Sequence, residues 1–144
     1  MNNTTQATES IDILRGQNIQ ALAKLLIESG MTVFTTVYSS NSKPSYIHFS
    51  DGQNIGYAQE CESGCAVRFS TVHRPCRECG TGFGLQSAHE GIVNPTIEDA
   101  KRAFITAPQW SLPSQRKGIV KYKSIEDYCS HSMNTIGQIT FLTK

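Results

Sequence analysis

Four cysteines lie close together in the middle of the chain, as Cys61-x3-Cys65 and Cys76-x2-Cys79. Thiolates at such spacings can bind zinc, and Gly80, directly after Cys79, is the small residue that lets a metal knuckle turn tightly. A single ion would need all four sulfurs at about 2.3 Å, which forces Cys65 and Cys76 together. Between them, Ala66 to His73 alternates Val67, Phe69 and Thr71 against Arg68, Ser70 and Val72, the pattern of a strand. Seven such residues extend roughly 23 Å. A four-cysteine site therefore requires residues 66–75 to fold back as a hairpin, and no Gly, Asn or Asp lies between Ala66 and Pro75 to turn it. The expectation is that no metal or other cofactor is bound, with zinc on Cys61, Cys65, Cys76 and Cys79 as the alternative.

Cys76-Arg77-Glu78-Cys79 also has the form of a redox dithiol, but that chemistry needs the first thiolate at a helix N-terminus, and Gly80-Thr81-Gly82-Phe83-Gly84 is a poor helix start. His73 beside Cys76 lacks an orienting third group for nucleophilic catalysis. A polar constellation follows the fourth strand, where Ser70, Thr71, His73 and Arg74, with the Gly80 to Gly84 loop carrying Thr81 and Phe83, could hold an anion. The spacing matches no phosphate loop, and such residues also serve to satisfy the backbone of a long connection. His48, His89 and His131 are isolated and read as structural. No catalytic residue is assigned and the chain is expected not to be an enzyme, with a small enzyme built on Ser70 to Arg74 and Gly80 to Gly84 retained as an alternative.

The 144 residues suit one domain large enough to bury its own core. No apolar run approaches the length of a membrane span, and no basic stretch precedes a short apolar one as in a secretory leader. The expectation is a cytoplasmic protein without a membrane partner, its five cysteines reduced. Net charge of +1 hides an asymmetry: three basic and six acidic residues through Val67, ten basic and six acidic from Arg68 onward. The densest basic cluster, Arg116, Lys117, Lys121 and Lys123, is weaker than the usual stripe of a nucleic-acid binder. Direct nucleic-acid binding is kept as an alternative, through a zinc-dependent module on the four cysteines.

The elements that would position these residues follow from periodicity. Met1 to Ser10 is polar and reads as a flexible tail. From Asn18, Ile19, Leu22, Ala23, Leu25, Leu26 and Ile27 form a helical stripe ending at Gly30. Strands are expected at Thr32 to Ser39, around Tyr46 to Phe49, at Ile55 to Glu60 and at Ala66 to His73, joined by tight turns as an antiparallel meander. After Pro75 the strand signal stops. Thr96 and Asp99 mark a capping box for a second helix, Ser124 and Asp127 another for a short third, and Gln138 to Thr143 a last strand. Residues 11–144 are thus expected as a single α+β domain, an antiparallel β-meander of about four strands plus a C-terminal strand, covered by an N-terminal helix and two shorter ones.

Three segments carry a resemblance: D-G-Q-N-I-G-Y-A-Q at Asp51 to Gln59, F-S-T-V-H-R-P at Phe69 to Pro75, and G-T-G-F at Gly80 to Phe83. They lie within Asp51 to Phe83, a span of about a quarter of the chain. The series resembles small accessory proteins of phages, prophages and plasmids. That resemblance implies a non-enzymatic protein that binds a host protein or ribonucleoprotein complex, as inhibitors of restriction or CRISPR defence do. An exposed apolar or aromatic patch on the sheet or loop surface, with Phe83, Trp110 or Tyr122 in it, would then be the anchor.

Overall fold

The computed structural model describes residues 5–37, 43–62, 64–73, 84–87, 91–104, 125 and 138–144. Seven strands, β1 (Thr5–Ser10), β2 (Thr32–Val37), β3 (Tyr46–Ser50), β4 (Ile55–Glu60), β5 (Val67–His73), β6 (Gly84–Ser87) and β7 (Gln138–Thr143), form one sheet in the order β1-β7-β2-β3-β4-β5-β6. Every pairing is antiparallel except that of β1 with β7. With the helix α1 (Gln17–Glu28) and the single turn α2 (Ile97–Lys101), the chain is an α+β domain.

The β2 to β5 run is the expected antiparallel meander, each strand paired with the next in chain order. Two strands depart from expectation. Residues 5–10, whose want of apolar residues predicts a flexible tail, form β1, which runs parallel to β7 in register from Thr5 opposite Gln138 to Ser10 opposite Thr143. Its stabilisation comes from main-chain pairing with a segment more than a hundred residues away, which local periodicity does not record. β6 lies in the glycine-rich stretch where no strand was expected; four residues pair with the outer edge of β5, and Ile92 continues that edge by exchanging two main-chain bonds with Val67 at 3.0 and 2.8 Å. Among the described residues the expected third helix is represented by Ile125, which is helical; the rest of 124–128 lies outside them.

The helix α1 buries Ile19, Leu22, Ala23 and Leu26 against β2, β3, β4 and β7. Burying each of the three large side chains contributes about 1.5–3 kcal/mol. Its end is a Schellman motif, with Gly30 N–H donating to Ile27 C=O and Met31 N–H to Leu26 C=O, both 3.0 Å, and Gly30 at φ 94°. The capping box at α2 is as expected: Asp99 N–H donates to Thr96 Oγ1 at 3.2 Å and Thr96 N–H to Asp99 Oδ2 at 2.9 Å. α2 leads into a 3-10 turn, Arg102–Phe104, that sets Ala100 and Ala103 on β4 and β5.

That close approach depends on Gly56, which faces Phe49 across the β3–β4 ladder. A Cβ at Gly56 would stand 2.7 Å from the Phe49 ring and 3.0 Å from Ala103. The vacant position lets the ring lie across β4, edge-on to Phe69 at a centroid distance of 6.2 Å and tilted on Phe104 at 5.5 Å. Gly56→Val is expected to lower stability by about 1–3 kcal/mol through overpacking, with Gly56→Ala nearer the lower end, measured as a fall in the urea midpoint without change in slope.

Candidate functional site

The end of the β4–β5 hairpin meets the start of α1, and the local sequence explains why. Gly16 is the N-cap of α1 and carries no side chain to accept the first N–H groups. Glu60, the last residue of β4, does so from outside the helix. Its Oε2 accepts from Ile19 N–H at 2.7 Å and its Oε1 from Asn18 Nδ2 at 2.7 Å. Asn18 Nδ2 also donates to Gly64 C=O at 2.7 Å, tying the hairpin turn to the same helix end. The carboxylate stands where a helix N-terminus favours negative charge. Gly16 is required twice, since φ is 119° and a Cβ there would lie 2.7 Å from the Glu60 carboxyl carbon.

Two depressions open beside this junction. One, of about 530 Å³, is lined by Arg15, Gln17, Ser45 and the Gly16 and Gly64 backbone; the other, of about 600 Å³, by Ala66, Arg68 and Gly91. Both include Gln59, Glu60, Cys61 and Glu62, so they meet along the end of β4. Arg15, Gln59, Glu62 and Arg68 are exposed, Glu60 half-buried. Gln59 accepts from the Tyr57 hydroxyl at 3.1 Å. Cys61 is half-buried and Cys65 exposed, at either end of a turn closed by Gly64 N–H to Cys61 C=O and Cys61 N–H to Ala66 C=O, both 2.9 Å.

On the opposite face of the sheet a second layer packs Phe34, Ile55, Tyr57 and Ile139, with Tyr46, Phe141 and Ile125 partly buried against them. His48 lies in this layer, 3% exposed. Its ring stacks on Phe34 at 5.1 Å and 14°, and meets Tyr57 at 5.2 Å and Tyr46 at 6.3 Å edge-on. Burial pushes its pKa down to about 3. Burial, then the neighbouring Tyr46, also raises the Tyr57 phenol. Neither group lines either depression.

The residues singled out by sequence are only partly gathered. Ser70, Thr71 and His73 are on β5, where Ser70 pairs with Tyr57 and Ser87, Thr71 with Gly56 and Gln86, and His73 with Gly84. Arg74, Thr81, Phe83, Trp110 and Tyr122 lie outside the described residues, as do Cys76 and Cys79. β5 is unbroken from Val67 to His73, so these residues do not form the hairpin that one ion shared by all four cysteines requires. Among the described residues no three His, Cys, Asp or Glu side chains converge as metal ligands. Sequence reasoning missed Glu60, Arg15 and Arg68; the signal within reach was Gly16, a helix start with no capping side chain of its own.

The D-G-Q-N-I-G-Y-A-Q stretch is largely architectural. Burial alone would raise the Asp51 carboxyl, but hydrogen bonds from Gln53 N–H, Asn54 N–H and the Asn54 amide outweigh it and hold its pKa low. Ile55 and Tyr57 fill the aromatic layer, and Gly56 admits Phe49. Comparison of the chain with protein-family models, with curated proteins and with solved structures found no match.

Two outcomes are expected. Glu60→Ala should cost about 1–2 kcal/mol, the size of a lost helix cap, and Glu60→Gln, which keeps an acceptor, less; urea denaturation reads both. His48 is neutral in the fold but titrates near 6.5 once unfolded. Its contribution to stability is therefore complete above pH 6.5 and falls as pH drops toward about 3. Denaturant midpoints of the wild type should decline across that window, and His48→Phe should flatten the decline.

Proposed function

We propose that the chain acts by binding a protein, as an accessory protein of a mobile element that occludes a host defence complex of the restriction or CRISPR kind. The observation that carries this reading is the nature of the open surface at the β4–β5 hairpin. Its exposed groups are polar and charged, and they stand on a frame locked by the Glu60 carboxylate to α1, which favours a preformed contact surface. Among the described groups with displaced pKa values, His48 and Tyr57 are enclosed in the other face and Asp51 lies in the β3–β4 turn, and none of the three lines that surface. The likeness of the Asp51 to Gln59, Phe69 to Pro75 and Gly80 to Phe83 segments to mobile-element accessory proteins supplies the class of partner.

The test is immunity itself. In cells carrying an active restriction or CRISPR system, production of the chain should raise the plating efficiency of a phage that the system targets, and leave plating unchanged where the system is deleted. Unchanged plating across representative restriction and CRISPR systems, with the protein present and folded, would refute the reading.

A further inference from the structure

Two thiols at the end of the β4–β5 hairpin have no part in the protein-binding reading. Cys61 and Cys65 stand outside any disulfide, and β5, seven residues long and unbroken, leads the chain away from Cys65. The main chain sets the two cysteines side by side. Gly64 N–H donates to Cys61 C=O and Cys61 N–H to Ala66 C=O, both at 2.9 Å. The residues before and after Cys65 are therefore both bonded to Cys61, which places Cys65 against it across the turn. Opposite residues of an antiparallel pair have Cα atoms about 4.5–5.5 Å apart, and a disulfide closes over about 4.4–6.8 Å. The turn is also held from outside. Asn18 Nδ2 donates to Gly64 C=O at 2.7 Å, and the carboxylate of Glu60, next to Cys61, accepts from Ile19 N–H at 2.7 Å. Exposure divides the roles of the two thiols. Cys65 is open to a reagent, whereas Cys61 is half-buried, its sulfur 3.0 Å from where a Cβ on Gly91 would stand.

We infer that Cys61 and Cys65 form a reversible dithiol site, oxidised by small-molecule disulfides of the glutathione class. The Cys65 thiolate attacks the disulfide; its sulfur bonds to one half, and the other half leaves as a thiolate that takes up a proton. The Cys61 thiolate then attacks the Cys65 sulfur, the Cys61–Cys65 bond forms, and the second half leaves as a thiol. The two cysteine thiols give up two electrons and two protons, and the small disulfide gains both. Because the turn already holds the residues together, closing the ring costs little chain freedom, and the second step outruns capture of another glutathione at Cys61. The linkage closes covalently the hairpin end that Glu60 and Asn18 tie to α1. The site stands whether or not the chain meets a defence complex.

The experiment incubates the full reduced chain with graded ratios of oxidised to reduced glutathione, quenches with acid, alkylates the remaining thiols with N-ethylmaleimide and maps tryptic peptides by mass. The peptide ending at Arg68 holds Cys61 and Cys65 and no other cysteine. It should lose two hydrogens and take no alkyl group, at ratios about tenfold or more less oxidising than the same chain requires in urea. Cys61→Ser should stop the reaction at a glutathione adduct on Cys65. Cys65→Ser should abolish the linkage and slow adduct formation, since the remaining thiol is half-buried. The proposal fails if both thiols are still alkylated after glutathione disulfide alone, or if each ends as a separate adduct. It fails equally if either cysteine links to Cys76, Cys79 or Cys129 instead, or if the chain in urea closes the pair as readily as the folded one. The wild-type peptide decides these outcomes even where a serine variant does not fold.

Discussion

The carboxylate of Glu60 at the N-terminus of α1 is the contact on which the arrangement of this domain depends. A helix whose first residues lack a capping side chain leaves N–H groups that must find acceptors, and here a strand end supplies one. The bond joins the start of α1 to the end of β4, and the apolar stripe of Ile19, Leu22, Ala23 and Leu26 turns that helix's buried face to the sheet. It also fixes the hairpin turn, through Asn18 and Gly64. A structural cap and a surface feature are thus built from one residue: the depressions on either side of Glu60 exist because helix and hairpin are joined there.

The two faces of the sheet solve different problems. The face under α1 and α2 is an apolar core in which Gly56 and Ala103 allow close approach and Phe49, Phe69 and Phe104 fill the space. The other is an aromatic layer with His48 held between Phe34, Tyr46 and Tyr57. Burial keeps the imidazole neutral. That ring therefore serves packing within the aromatic layer.

Much of the fold was legible because its signals are local. β4 and β7 have the bounds that alternation indicated, β5 begins one residue later, and both the Gly30 helix stop and the Thr96–Asp99 capping box are seen as expected. β1 and β6 were not legible. β1 is a polar strand held by main-chain pairing with a segment more than a hundred residues away, and β6 a four-residue strand paired with the edge of β5; their composition announces neither pairing. The candidate site was less legible still. Cysteine spacing drew attention to residues 61–79, where an unbroken β5 separates Cys65 from the later pair.

The sequence by itself determined the elements whose stabilisation is local: the α1 stripe with its glycine stop, the alternating strands β2 to β5, the α2 cap, and so the α+β class. Tertiary structure alone decided that β1 runs parallel to β7, that Glu60 caps a helix 41 residues earlier in the chain, and that Arg15 and Arg68 line two depressions that share the end of β4. The physical reason is range. Turn chemistry and periodicity act over a few residues, whereas a cap in trans and a parallel pairing exist only once the chain has closed on itself.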